Sequence, residues 1–111
     1  MNRLPMSAAG SALLRLLIAR SGAPRDRILL TEVRTIEWQS LTFTGERHEI
    51  SLRVPGPGSS QTVERMCAGL EDAEFSISGV VVADIGVAGE SSHGLDGSIS
   101  LVVEALTVSN D

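Results

Sequence analysis

The stretch FTGERHEISLRV, Phe43 to Val54, alternates between polar and apolar residues in its second half, as expected of a β-strand with one covered face. Thr44-Gly45-Glu46 is typical of a hairpin turn, and the return strand is predicted from His48 to Val54. Successive side chains of a strand point to opposite faces. The side chains expected to turn inward are His48, Ile50, Leu52 and Val54. Those expected to turn outward are Arg47, Glu49, Ser51 and Arg53.

The chain before this turn predicts a strand and a helix. The segment Ile28 to Thr44 is rich in β-branched and aromatic residues, which favours strand. Its apolar residues change parity twice, so we expect bulges or breaks near Arg34 to Ile36 and near Gln39 to Leu41. Earlier, Ser7 to Arg20 carries leucine and isoleucine at helical spacing, and Ser7 or Ser11 would cap this helix.

The chain after the return strand repeats this order. The loop Pro55-Gly56-Pro57-Gly58-Ser59-Ser60 blocks both helix and strand, and one of its serines would cap a second helix from about Gln61 to Glu71. Two further strands are predicted, Val80 to Val87 and Ser98 to Val108. A polar turn from Ala88 to Gly97 would join them.

The order helix, hairpin, helix, hairpin predicts the fold class. Because hairpins are antiparallel, we expect an α+β fold, a two-layer αββαββ arrangement in which both helices cover one face of a four-stranded antiparallel sheet. A chain of 111 residues fits a single domain, residues 1–111, with residues 1–6 and 109–111 frayed.

The composition excludes several functions. The chain contains no lysine and no tyrosine, so it has no Schiff-base lysine, no P-loop lysine and no phenolic acid. A net charge of -5 gives no general attraction to nucleic acid or to an anionic membrane. With Cys67 as the single cysteine an internal disulfide is impossible, and we expect a cytoplasmic protein without a cofactor.

His48 is the residue that most suggests chemistry. A carboxylate such as that of Glu46 can orient an imidazole and turn it into a general base, whereas Glu49 points to the other face of the strand. Alternatively, His48 lies at the edge of the core and bonds to a backbone or hydroxyl group. A further alternative is an anionic-ligand site in a cleft between subunits, formed by His48, Arg47 and Arg53.

No catalytic or metal site is predicted at the other candidate residues. Cys67 falls on the apolar stripe of the second helix, away from a helix N-terminus that would stabilise a thiolate. His93 and Asp96 are too few to bind zinc, and a Gly-rich turn in which Asp96-Gly97 supplies a positive backbone angle explains them better.

The second predicted hairpin is apolar on both of its faces. Runs such as Val80-Val81-Val82 cannot be covered on both sides by two short helices. We therefore expect a homodimer or larger homo-oligomer, packed through the sheet face or edge, with an interface at Val82, Val102, Glu104, Leu106 and Val108.

Three functions compete at this point. The first is a non-enzymatic module that self-associates and acts through protein contacts, either with its own copies or with another protein. The second is a small-molecule binder or enzyme with the inter-subunit cleft around His48. The third is RNA binding, which is disfavoured by the negative charge and by having only three aromatic residues, Trp38, Phe43 and Phe75.

Overall fold

The computed structural model describes residues 6–109. Its two α-helices are α1 (Ala8–Ser21) and α2 (Ser59–Cys67), and its four strands are β1 (Leu29–Gln39), β2 (Thr44–Val54), β3 (Val80–His93) and β4 (Ile99–Ser109). Short 3-10 turns follow each helix, at Arg25–Arg27 and Leu70–Asp72. The expected frayed ends lie mostly outside the described residues, at 1–5 and 110–111, while Ser109 is the last residue of β4.

The four strands form one antiparallel sheet in the order β1-β2-β4-β3, and the predicted α+β class is confirmed. Pairing partners on neighbouring strands point to the same face, so the register sorts the side chains into two sets. The helix face carries the buried side chains under α1 and α2. We call the opposite side the open face, since α1 and α2 do not lie on it; the side chain of Glu71, from the turn Leu70–Asp72, reaches its β3 edge at Gly86.

The hydrophobic core lies between the helices and the helix face. Leu13 and Leu17 from α1 and Met66 from α2 have no exposed surface, and each helix thus buries one stripe. From the sheet the core receives Val33, Ile50, Leu52, Val54, Ile85, Leu101, Val103 and Ala105. The inward set predicted for β2 is confirmed, because His48, Ile50, Leu52 and Val54 are all buried.

Both ends of α1 have capping residues that the sequence indicated. Ser7 is the N-cap, and its hydroxyl oxygen accepts a hydrogen bond of 3.1 Å from the backbone N–H of Gly10. Gly22 ends the helix with a φ of 70°, the left-handed conformation that glycine adopts without strain. Helix α2 differs from the prediction, since its N-cap is Gly58 and neither serine caps it through a side chain.

The first hairpin turns earlier than predicted. The turn is formed by Ser40 to Phe43, where the Ser40 hydroxyl accepts a hydrogen bond of 3.1 Å from the Phe43 N–H, and Thr44 already belongs to β2. Gly45 belongs to β2 and not to the turn. This strand position requires glycine, because a Cβ atom there would lie only 2.1 Å from the carbonyl oxygen of Thr107. The break expected near Arg34 to Ile36 is absent, whereas β1 does end at Gln39, within the second expected range, and the one irregularity of β1 lies between Leu30 and Glu32.

The second hairpin is longer than predicted. Strand β3 continues through most of the expected turn, with an irregular register between Ala88 and Ser92, and it ends at His93. The tight turn that remains contains Gly97, whose φ of 85° fits the predicted positive angle.

A bulge in β3 corrects the placement of Val82. Val82 pairs with Thr107, but Asp84 pairs with the next residue of β4, Leu106, so Ala83 is an extra residue in the ladder. Val82 consequently lies on the helix face and packs against the core, whereas Val102, Leu106 and Val108 lie on the open face. The open-face valine of this run is Val81, whose side chain is 52% exposed.

No helix within residues 6–109 is both long and apolar enough to cross a membrane.

Candidate functional site

His48 lies in the core between three strands and α1. Its side chain is fully buried, and both ring nitrogens face threonine hydroxyls. The Nε2 atom is 2.9 Å from the Oγ1 of Thr107 on β4, and the Nδ1 atom is 3.3 Å from the Oγ1 of Thr35 on β1. His48 is therefore a core histidine with hydroxyl partners, the alternative to a general base, and both of its ring nitrogens have a hydrogen-bond partner.

The hydrogen-bond directions around His48 follow from Thr107. The Thr107 hydroxyl donates to the backbone carbonyl of Glu46 at 3.3 Å, so its oxygen is left to accept from the Nε2–H of His48. The Nδ1 atom then accepts from the hydroxyl of Thr35. The neutral imidazole with its proton on Nε2 therefore completes every bond in this network.

Glu46 connects His48 with the start of α1. Its Oε1 atom lies 3.7 Å from the Nε2 of His48 and accepts a hydrogen bond of 2.8 Å from the hydroxyl of Ser7, the N-cap of the helix. Burial lowers the pKa of His48 below its usual value of 6.5, and the nearby Glu46 carboxylate offsets only part of this effect. His48 is therefore a neutral structural group at pH 7, and its burial keeps it from an external ligand.

The three predicted ligand-binding residues do not form one site. His48 is on the helix face, while Arg47 and Arg53 are on the open face, as the alternation of β2 requires. The two arginines are separated by roughly 20 Å along the strand, and Arg53 already forms an ion pair of 2.6 Å with Asp96.

Cys67 and the Gly-rich turn have no catalytic geometry. Cys67 is half-buried, and burial raises the pKa of its thiol, although nearby Arg20 acts in the opposite direction. Asp96 holds the turn by accepting hydrogen bonds from the N–H and hydroxyl of Ser98. Within residues 6–109 no group of three or more His, Cys, Asp or Glu side chains is arranged to hold a metal ion.

The open face carries five apolar side chains in two neighbouring rows at the end of the sheet where β1 and β4 finish. One row of partners runs from Trp38 through Gly45 and Val108 to Val81, and the next row contains Ile36 and Leu106. We call this group the apolar cluster, and its members are Ile36, Trp38, Val81, Leu106 and Val108. Ile36 and Val81 are 50% and 52% exposed, and the other three are partly exposed.

Sequence reasoning found only part of the apolar cluster. Leu106 and Val108 were predicted, but Trp38 and Ile36 were missed because breaks were expected on both sides of them. The signal was present in the spacing of Arg34, Ile36 and Trp38, which a single unbroken strand places on one face. The predicted Val102 and Glu104 also lie on the open face, nearer the start of β4.

A cleft of about 540 Å³ opens beside the apolar cluster, at the end of the sheet. Trp38 and Gly45 line it, together with the acidic residues Glu37 and Glu46. No described arginine belongs to its lining, so its charge does not suit an anionic ligand.

Comparison of the chain with protein-family models, with curated proteins and with solved structures gave no match.

Proposed function

We propose that this protein is a non-enzymatic module that self-associates, and that the open face of its sheet binds a second copy of the chain. The apolar cluster carries this proposal. Its five side chains lie in two neighbouring rows and are partly exposed, and α1 and α2 pack on the other side of the sheet. Exposed apolar patches of this kind mark interaction surfaces on soluble proteins.

The size of the open face supports a second copy as its occupant. Strands lie about 4.8 Å apart and rise about 3.4 Å per residue, so four strands of about eleven residues present roughly 700 Å² of flat surface. Specific complexes bury about 800 Å² on each partner. Two copies with three or four strands overlapping would therefore bury roughly 500 to 700 Å² each, which approaches the area of a specific complex.

The cytoplasmic location belongs to the same proposal, since the single cysteine leaves the fold without a disulfide to be maintained. The alternative of an enzyme or anionic-ligand binder with a cleft around His48 is not supported, because His48 is fully buried and Arg47 and Arg53 lie on the other face of the sheet.

Replacement of Leu106 by Gln tests the proposal. Burying a leucine stabilises by about 1.5 kcal/mol or more, and a symmetric dimer buries two copies, so the dimer dissociation constant should rise about a hundredfold. The matched control is Leu95→Gln, since Leu95 is fully exposed in the β3–β4 turn. Sedimentation equilibrium from micromolar to near-millimolar protein measures the dimer dissociation constants of the wild type and of both variants.

A wild-type protein that stays monomeric over this range would refute the proposal. So would equal dissociation constants for the two leucine variants. Circular dichroism melts of each variant establish that loss of dimer is not loss of fold.

A further inference from the structure

Resting on the proposed self-association, we propose that the two copies are related by a two-fold axis that runs along β4, so that Arg47 of each copy faces Asp84 of the other. Leu106 lies on this axis. The interface then combines a central apolar contact with two identical ion pairs at its sides.

The placement of three side chains in one row supports this inference. Leu106 on β4 pairs with Arg47 on β2 at one side and with Asp84 on β3 at the other. All three are therefore on the open face, with opposite charges at equal distances from the leucine, about 4.8 Å of strand spacing on each side.

Arg47 and Asp84 are also available for contacts with a partner. Both are exposed, and within residues 6–109 neither has an ion-pair partner within 4.0 Å. The other arginines on the open face of β1 and β2 already form ion pairs within the chain. Arg34 pairs with Glu49 at 3.6 Å, and Arg53 pairs with Asp96 at 2.6 Å.

Symmetry selects the axis. A two-fold axis along β4 lays β4 over its own copy and exchanges β2 with β3, which sets Arg47 over Asp84 twice and leaves β1 at the rim of the interface. Packed sheets lie about 10 Å apart, a gap that a long arginine and a short aspartate together span. An axis along β2 would instead set Arg47 against its own copy, and an axis between β2 and β4 would set Glu49 against Glu104.

Axes across the strands also pair opposite charges, and one through Ser51 would set Glu49 over Arg53, although both already form ion pairs within their own chain. An axis across the strands, midway between Arg47 and Glu49, sets these two residues against each other in the dimer. It also sets Leu106 against Glu104, which would desolvate a carboxylate on an apolar side chain. The axis along β4 avoids this contact, and we therefore favour it.

The proposed axis has one unfavourable consequence that can be tested. Glu104 precedes Leu106 by two residues on β4, so the two copies of Glu104 approach each other close to the axis. Glu104→Gln removes this repulsion and should lower the dimer dissociation constant severalfold. A weaker dimer in this variant would contradict the proposed axis.

The decisive experiment uses charge reversal on each side of Leu106. In Arg47→Glu two acidic side chains meet at both contacts, and in Asp84→Arg two arginines meet, so each variant alone should dissociate about tenfold or more readily than the wild type. An equimolar mixture of the two variants forms a heterodimer in which both contacts again have opposite charges. Native mass spectrometry distinguishes this heterodimer from both homodimers.

Each result has a distinct meaning. Recovery of wild-type affinity in this heterodimer supports the axis along β4, provided that the heterodimer with Arg25→Glu in place of Arg47→Glu, which regains only one of the two ion pairs, is weaker. A dimeric wild type with no recovery in the mixture overturns this axis, and recovery on mixing Arg47→Glu with Glu49→Arg would assign the axis across the strands. A monomeric wild type refutes the proposed function itself.

Discussion

Acidification should destabilise this protein through His48. In the folded chain burial lowers the pKa of His48 below 6.5, so the unfolded chain binds a proton that the folded chain does not. The stabilising contribution is complete above pH 6.5 and is lost as the pH falls through 6.5 toward the lower folded-state pKa.

The size of this effect has an upper limit. If the folded state binds no proton at His48, the free energy of unfolding decreases by about 1.4 kcal/mol between pH 7.5 and pH 5.5. The carboxylate of Glu46, 3.7 Å from Nε2, reduces this loss because it stabilises the imidazolium.

Urea unfolding at pH 7.5, 6.5 and 5.5 measures the effect, at one fixed protein concentration because association also stabilises the fold. His48→Gln should remove this pH dependence at the cost of lower stability at every pH. His93→Gln, at an exposed histidine, is the matched control and should behave as the wild type. The reasoning fails if the wild type gains stability on acidification, or if its pH dependence equals that of His48→Gln.

Two further substitutions test features of the fold. Gly45→Ala should cost about 3 kcal/mol in urea unfolding, because the new Cβ would meet the Thr107 carbonyl, whereas Gly86→Ala meets only the flexible carboxylate of Glu71 and should cost under about 1 kcal/mol; equal costs would contradict this. Ser7→Ala removes the N-cap of α1 and the hydroxyl that donates to Glu46, and should cost about 1 to 2 kcal/mol, while a similar loss in Ser11→Ala would argue against the cap.

The sequence predicted what depends on local periodicity. The order of helices and strands and the inward face of β2 followed from spacing, since both are set by residues a few positions apart. The cap at Ser7 and the helix end at Gly22 followed from the chemistry of single residues.

The features that were missed depend on partners distant in sequence. The extra residue Ala83 reverses the faces of β3, and no local signal among four consecutive small apolar residues marks it. Gly45 resembled a turn glycine, although it is required by the Thr107 carbonyl of another strand. For the same reason the two threonines that hold His48 could not be read from the sequence around it.

The hydrogen bonds of His48 also define the register of the sheet. A slip of β2 by two residues against its neighbours would keep every apolar side chain on the helix face, so hydrophobic burial discriminates weakly against it. The imidazole would lose Thr35 and Thr107 together in such a slip, and each buried polar group left unpaired costs about 1 to 3 kcal/mol. A single polar side chain in the core thus selects one strand alignment among several that bury the same surface.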